Sequence, residues 1–204
     1  MNEAQGSTHN SLPGTDPHGH FMKRLYPMRE FWRLLEDLLT SSRDMRGARK
    51  KGLLTSQFGE RIMMAVTEVN GCRYCSYFHT KVALQAGLER DEILATLAGD
   101  FAHAPREELA ALCYAQHYAE SGGKLDADAN HSLMDEYGPE RGRAILGYIR
   151  AIMVGNAWGN AFDSLLFRLR GKPTHGMTLA GELGVLLGPI GMMPLIVLGR
   201  VLRR

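Results

Sequence analysis

The stretch Glu68-Val-Asn-Gly-Cys-Arg-Tyr-Cys-Ser-Tyr-Phe-His79 places two cysteines and a histidine on one helical repeat, directly after an Asn-Gly turn. If a helix begins near Cys72, then Cys72, Cys75 and His79 lie at i, i+3 and i+7 on one face. The two sulfurs can then meet each other, and the imidazole lies one turn beyond the second sulfur. This spacing indicates a redox or metal site carried by a helix.

The start of a helix favours ionised thiols, because its unpaired backbone N–H groups carry partial positive charge. A Cys-x-x-Cys thiol in that position can have its pKa lowered from ~8.5 to between ~3.5 and ~7.5. His79, four residues after Cys75, is placed to take or return the proton. Cys75 is therefore the predicted attacking sulfur. Cys72, at the mouth of the helix, is predicted to close the disulfide and to be the sulfur that an external reductant reaches.

A helix ahead of the motif supplies a carboxylate. Residues 57–70 read as an amphipathic helix that runs straight into the Asn-Gly turn. In an antiparallel pair of helices, Glu60 would lie about three turns down, at the level of His79. A partly buried carboxylate that is hydrogen-bonded to an imidazole fixes its tautomer and makes it a better base. Glu68 is a competing carboxylate close to Cys72.

The pattern of Glu60, eleven residues, Cys72-Arg-Tyr-Cys75, three residues and His79 resembles the core of the AhpD alkylhydroperoxidase and carboxymuconolactone decarboxylase superfamily. The resemblance covers roughly residues 50–105, and it implies an all-helical protein that assembles as a homo-oligomer. It implies that Cys75 is oxidised to a sulfenic acid, that Cys72 is its disulfide partner and the point of exchange with the reductant, and that Glu60 and His79 form a proton relay. The best-known AhpD sequences carry a histidine directly before the second cysteine, where this chain has Tyr74.

The decarboxylase branch, as the resemblance describes it, lacks the cysteine pair, so the two sulfurs favour thiol chemistry. We therefore expect an AhpD-like thiol peroxidase with no cofactor, which reduces a hydroperoxide and is recycled by an external dithiol, lipoyl- or thioredoxin-like. One alternative is a decarboxylase or lactone-processing enzyme that uses Glu60 and His79 without sulfur chemistry. The other is a non-catalytic redox sensor or membrane-tethered scaffold. A structural zinc site is disfavoured, because it needs four protein ligands and no second ligand pair lies nearby.

Composition narrows the class of protein further. A chain of 204 residues with 45% hydrophobic content can bury one sizeable core, and a net charge of +2 gives no support for a nucleic-acid partner. The basic run 46–51 lacks interleaved aromatic residues and reads as a solvated helix end or connector. Three cysteines, two of them a reactive pair, indicate a reducing compartment, so we expect a cytoplasmic location. Cys113, in an apolar stretch, is expected to be a small buried residue.

The chain divides into three predicted regions. Residues 1–19 are rich in glycine, serine, proline and histidine and are expected to be a disordered tail; residues 20–175 form the AhpD-like helical domain; residues 176–204 form an apolar C-terminal segment. No strand-like alternation is present, which favours an all-α bundle. Besides residues 57–70 and the motif helix, predicted helices cover 21–39, 91–101, 105–119, 126–137 and 140–170, the last broken near Gly155-Asn156.

The C-terminal segment is the most apolar part of the chain. Residues 183–199 are seventeen in a row without a charge, followed by Arg200. This run is shorter than the ~20 residues that a membrane-spanning helix needs, and its helical continuity is interrupted by Gly184, Gly188, Pro189, Gly191 and Pro194. We predict an apolar hairpin that packs on the body of the protein or on a neighbouring subunit. Attachment to a membrane surface is the alternative.

Overall fold

The protein is all-helical. The computed structural model describes residues 21, 23–124, 127–172 and 174–201, and the predicted tail of residues 1–19 lies outside this part. The described residues form seven α-helices, a short 3-10 turn and no β-strand, which confirms the predicted fold class. The elements are α1 (Met28–Lys51), α2 (Ser56–Asn70), α3 (Arg73–Gln85), α4 (Arg90–Thr96), the 3-10 turn (Arg106–Glu108), α5 (Leu109–Glu120), α6 (Ala127–Leu169) and α7 (Leu179–Val201).

The central element is α6, which contacts α1, α2, α3, α5 and α7. It bends at Gly138, where φ is 73° and ψ is 158°, directly before Pro139. The main hydrophobic core lies between α6 and the helices α1, α2 and α5, and its fully buried side chains include Phe31, Ile62 and Ile149. Burying these amphipathic faces provides most of the stability of such a bundle.

The α2–α3 corner carries the cysteine motif. Thr55 caps α2 by accepting a hydrogen bond from the Phe58 N–H at 3.1 Å. At the other end Gly71 adopts a φ of 68°, a conformation that favours glycine, and this reverses the chain after α2. The polar side chain of Asn70 accepts a hydrogen bond from the Tyr26 hydroxyl at 2.7 Å, which ties the corner to the segment before α1. The turn is therefore held both by the buried hydrogen bond between Tyr26 and Asn70 and by the backbone conformation of Gly71.

Two predicted helices have different bounds in the structure. The first was expected over residues 21–39, but α1 begins at Met28 because Pro27 fixes the preceding backbone in an extended conformation. It continues to Lys51, so the basic run 46–51 is its C-terminal end, where positive side chains are favourable. The helix predicted over 91–101 ends at Thr96, before Gly99 with its φ of 78°.

The break predicted near Gly155-Asn156 is wrong, since α6 runs unbroken through both residues. Asn156 is fully buried and accepts a hydrogen bond from Thr67 Oγ1 at 3.2 Å, so it joins α6 to α2. The interruption lies instead at Gly138, between the two helices that were predicted for this region. Packing against α2 and α3 keeps the helix continuous where its composition alone favours a break.

The predicted C-terminal hairpin is also wrong, because the segment forms the single helix α7. Two of its glycines, Gly184 and Gly188, lie against α1: a Cβ added at Gly188 would lie 2.9 Å from Cζ2 of Trp32. The buried Glu182 anchors the start of α7 by accepting hydrogen bonds from Ser164 at 2.6 Å and from Arg168 at 3.0 Å. Within the described residues no helix has both the length and the hydropathy that crossing a bilayer requires.

Candidate active site

The two cysteines of the motif form a disulfide at the start of α3, with their Cα atoms 5.3 Å apart. Cys72 is the N-cap of α3, and its Sγ accepts a hydrogen bond from the Cys75 N–H at 3.3 Å. The helix begins where the sequence predicts it, because Gly71 ends α2 and leaves Cys72 in an extended conformation. The pair therefore lies among the unpaired N–H groups of a helix start, which stabilise a thiolate.

The predicted contact between Glu60 and His79 is present. Nδ1 of His79 lies 2.7 Å from Oε2 of Glu60, and each residue is 7% exposed. The contact forms because α2 and α3 pack against each other on either side of the Asn70–Gly71 corner. A carboxylate bound at Nδ1 favours the tautomer that carries its proton there, which leaves Nε2 as the proton acceptor. The relay itself stays a prediction, although the two groups that it requires are in contact.

A cavity of about 480 Å³ opens onto the motif. Cys75 and His79 both line it, so the sulfur and the imidazole share one space. The rest of its wall is almost entirely apolar or aromatic and comes from α2, α3 and α6: Met63, Tyr74, Phe78, Ala151, Ile152, Gly155, Trp158, Gly159 and Phe162. Such a cavity, with a few convergent polar groups, is the usual form of a small-molecule site.

The environments of the two sulfurs differ in a way that corrects one prediction. Cys72 is fully buried, whereas Cys75 is partly exposed and lines the cavity. Cys72 is therefore not the sulfur that an external reductant reaches in this structure, contrary to the sequence-based prediction. Its position at the helix start suggested exposure, but α6 covers it: a Cβ added at Gly159 would lie 2.7 Å from Cys72 Sγ.

Besides lining the cavity, α6 supports the cysteine motif through three residues that the sequence analysis missed. Gly159 touches the disulfide, and the fully buried Asn160 donates a hydrogen bond to the Asn70 carbonyl at 2.7 Å. Asp163 accepts a hydrogen bond from the Tyr74 hydroxyl at 3.2 Å. The one signal in the sequence was the small-residue spacing of Gly155 and Gly159, which permits close helix contact; the sequence analysis considered only Gly155-Asn156 and interpreted it as a helix break.

Two other sequence-based assignments have different outcomes. Glu68 accepts a hydrogen bond from Gln116 of α5 at 3.3 Å, so its recorded partner lies away from the cysteines. Cys113 was expected to be buried, but it is exposed. It lies on the outer side of α5, whose buried face is formed by neighbours such as Leu112 and Ala115. The prediction followed the apolar composition of the stretch and not the helical face on which the cysteine lies.

Among the residues described here, no group of three or more histidine, cysteine, aspartate or glutamate side chains is arranged to hold a metal ion. The sulfurs of Cys72 and Cys75 are joined to each other, and His79 is engaged with Glu60.

Comparison with known proteins identifies the region that carries this site. Residues 37–117 match the family model described as the carboxymuconolactone decarboxylase family, and the match spans Glu60, both cysteines of the motif and His79. It confirms the resemblance to this superfamily that the motif spacing indicated. No curated protein and no solved structure matches the chain significantly.

Proposed function

We propose that the chain is an AhpD-like thiol peroxidase, because residues 37–117 match the model of the carboxymuconolactone decarboxylase family and because the matched region contains a cysteine pair. The observation that carries the proposal is the Cys72–Cys75 disulfide at a helix start, with Cys75 open to a cavity that His79 also lines. A sulfur pair that can form a disulfide, next to a proton donor and a substrate-sized space, is what two-electron reduction of a peroxide requires.

The first half of the reaction takes place at Cys75. In the reduced protein, His79 accepts the thiol proton and the resulting thiolate attacks the terminal oxygen of a hydroperoxide in the cavity. The O–O bond breaks, the sulfur becomes a sulfenic acid, and the alkoxide that leaves takes the proton back from His79. Glu60 stabilises the imidazolium that exists between these two transfers.

The second half returns the protein to its reduced form. The Cys72 thiol attacks the oxidised sulfur of Cys75, water leaves, and the disulfide closes. An external dithiol then attacks Cys75, which is the sulfur that faces the cavity, and Cys72 leaves as a thiolate stabilised at the helix start. The second thiol of the reductant resolves the mixed disulfide. Two electrons thus pass from the dithiol to the peroxide.

A second candidate activity uses the same cavity without sulfur chemistry. The buried Glu60–His79 pair supplies an acid–base group in an apolar site, which is sufficient for proton transfer in a decarboxylase or lactone-processing enzyme. The name of the matching family favours retaining this candidate. Cys75→Ser separates the two, because it abolishes peroxide reduction and spares a reaction that needs only the carboxylate and the imidazole.

The test of the proposal is a thiol-trapping experiment. The reduced protein receives about one equivalent of an organic hydroperoxide, is alkylated within seconds, and its peptides are weighed. We expect the peptide that contains Cys72 and Cys75 to lose both alkylation sites, while Cys113 stays alkylated. Cys113 serves as the internal control, because it is an exposed thiol outside the motif.

Variants make the same experiment decisive. Cys72→Ser is expected to halt at a Cys75 sulfenic acid, which a dimedone-type reagent captures, and Cys75→Ser is expected to consume no peroxide. If both motif cysteines of the native protein are still alkylated after peroxide treatment, as the control thiol Cys113 is, the peroxidase proposal is wrong. Decarboxylase and lactone substrates would then be assayed.

A further inference from the structure

A buried carboxylate on α6 holds both residues that separate the two cysteines. Asp163 is 1% exposed, and it forms an ion pair with Arg73 and accepts a hydrogen bond from the Tyr74 hydroxyl at 3.2 Å. Its second oxygen is paired with the ammonium of Lys23, from the segment before α1. Arg73 also donates to the Tyr74 hydroxyl at 2.8 Å, so the four side chains form one connected network.

The network is expensive to bury, which makes pure stabilisation a poor explanation for it. Burial lowers the pKa of Lys23, and the hydrogen bond to Asp163 opposes that shift. Ion pairs removed from water contribute little net stability compared with well-packed apolar side chains, although breaking one leaves a costly unpaired charge. A buried network of this kind is better suited to holding a geometry than to stabilising the fold as a whole.

The geometry in question is the position of the two sulfurs against α6. One turn before Asp163, Gly159 lies against the disulfide, so that a Cβ there would be 2.7 Å from Cys72 Sγ and 3.7 Å from Cys75 Sγ. Asn160 holds the Asn70 carbonyl just before the motif. Asp163 adds contacts to the side chains of Arg73 and Tyr74, the two residues inside the motif itself.

We propose that Asp163 is a positioning residue for the two thiols. By holding Arg73 and Tyr74, it keeps Cys72 buried beneath α6 and Cys75 at the cavity, and so it sets which thiol reacts with an external reagent. The inference deepens the proposed thiol chemistry and rests on it only for its functional meaning. Its test requires no peroxide, so a failed peroxidase assay and a failed positioning test are separate results.

The experiment compares the alkylation rates of the two motif thiols in the fully reduced protein. Rates are measured by peptide mass with iodoacetamide at about pH 9.5, above the ordinary cysteine pKa of ~8.5, so that differences in ionisation are reduced. In the native protein we expect Cys75 to react at least about tenfold faster than Cys72, because access limits the buried sulfur. In Asp163→Asn the side chain is neutral and can no longer form ion pairs with Arg73 and Lys23. The contacts that hold the motif are then weakened, and the ratio of the Cys75 to the Cys72 alkylation rate is expected to fall below about threefold.

Glu182→Gln provides the matched control. Glu182 is also a fully buried carboxylate with an arginine partner, but its recorded contacts join α7 to α6 and do not reach α3. We expect this variant to lose thermal stability and to keep the native alkylation ratio. The comparison separates a positioning role from a merely structural one.

The proposal is overturned if Asp163→Asn lowers the melting temperature and keeps the native ratio, or if the native ratio is already close to one. If Asp163→Asn does not fold, Tyr74→Phe decides the matter. It removes one of the two links from Asp163 into the motif and leaves the Lys23 pair in place. A reduced ratio in Tyr74→Phe supports the proposal, and an unchanged ratio overturns it.

Discussion

At the residue scale, the site depends on how closely α6 approaches the motif. Gly159 has no side chain, and this allows the backbone of α6 to lie directly over the disulfide. A methyl group at this position would be closer to Cys72 Sγ than ordinary packing permits. The burial of Cys72 and the exposure of Cys75 therefore follow in part from one glycine on a distant segment of the chain.

Gly159→Ala is expected to destabilise the oxidised protein. Overpacking of this kind costs about 1–3 kcal/mol, which exceeds the ~1 kcal/mol that alanine gains over glycine in a helix. Urea unfolding at neutral pH measures the change. The control is Gly47→Ala on α1, where an added Cβ meets nothing within 4 Å, and which is expected to be neutral or stabilising. A Gly159→Ala protein as stable as the native one would show that α6 can withdraw without cost.

Glu60→Gln tests the carboxylate next to His79. Glutamine keeps the shape of the side chain but loses the charge that stabilises an imidazolium, so peroxide reduction is expected to slow by about tenfold or more. Steady-state peroxide consumption with an excess of dithiol measures the rate. Glu68→Gln is the matched control, because the recorded partner of Glu68 is Gln116. Equal rates for the two variants would remove Glu60 from the proposed relay.

At the scale of elements, the corner between α2 and α3 is supported by the segment that precedes α1. The Tyr26 hydroxyl donates to Asn70 Oδ1 at 2.7 Å, and both residues are buried. Burial raises the pKa of Tyr26 to about 12, from an ordinary value of 10.0. The folded protein therefore resists ionisation of a phenol that ionises freely in the unfolded chain.

This shift predicts a loss of stability at high pH. Between pH 10.0 and about 12 the unfolded chain loses the Tyr26 proton while the folded protein keeps it. Folding stability should therefore fall across this range, by on the order of 2 kcal/mol from this group. Burial also raises the pKa of Tyr118 and of Tyr137, so the decline of stability with pH has contributions from more than one tyrosine.

Tyr26→Phe separates the contribution of this residue. It leaves the buried amide oxygen of Asn70 without its donor, which is expected to cost about 1–3 kcal/mol at pH 8. It should also make the decline of stability above pH 10 shallower than in the native protein. Urea unfolding at pH 8 and at a pH above 10 measures both effects. An identical decline in the two proteins would contradict the assignment of the shift to Tyr26.

At the scale of the whole molecule, α7 presents an unusual surface. Its exposed apolar side chains recur at helical spacing, and they include Leu183, Leu187 at 60% exposure and Ile190 at 69%. The same helix is attached to the body through the buried Glu182 and through a hydrogen bond from Trp158 to the Leu186 carbonyl at 3.3 Å. Exposed apolar stripes of this kind occur where subunits or other surfaces meet.

The homo-oligomer that the family resemblance implies is expected to use this stripe. Leu187→Glu should shift the protein toward the monomer in light scattering, since a charge there opposes burial in an interface. Leu169→Glu is the control, because Leu169 is 72% exposed but lies at the end of α6. Flotation with anionic vesicles tests the membrane alternative. If the native protein is a monomer that floats with vesicles, and if Leu187→Glu abolishes flotation, the stripe is a membrane-binding surface and not a subunit interface.

Some of the site could be predicted from local sequence because its parts lie within continuous helices. The spacing of Cys72, Cys75 and His79 determines that they share a face, and the Asn-Gly pair determines that α3 begins there. The number of helical turns between Glu60 and the Asn-Gly turn similarly predicts that Glu60 lies at the level of His79. Each of these relations depends on the helical repeat and on one tight turn, both of which are local properties of the chain.

The sequence by itself determined the all-helical fold, the position of the cysteine pair at a helix start and the carboxylate beside the histidine. Only the tertiary structure decided that Cys72 is buried, that Gly159 and Asp163 support the motif, and that the C-terminal segment is one helix. The physical reason is that these features arise from contacts between segments far apart in the chain. The free energy of these contacts depends on how the helices pack against one another, and no local pattern of residues encodes that packing.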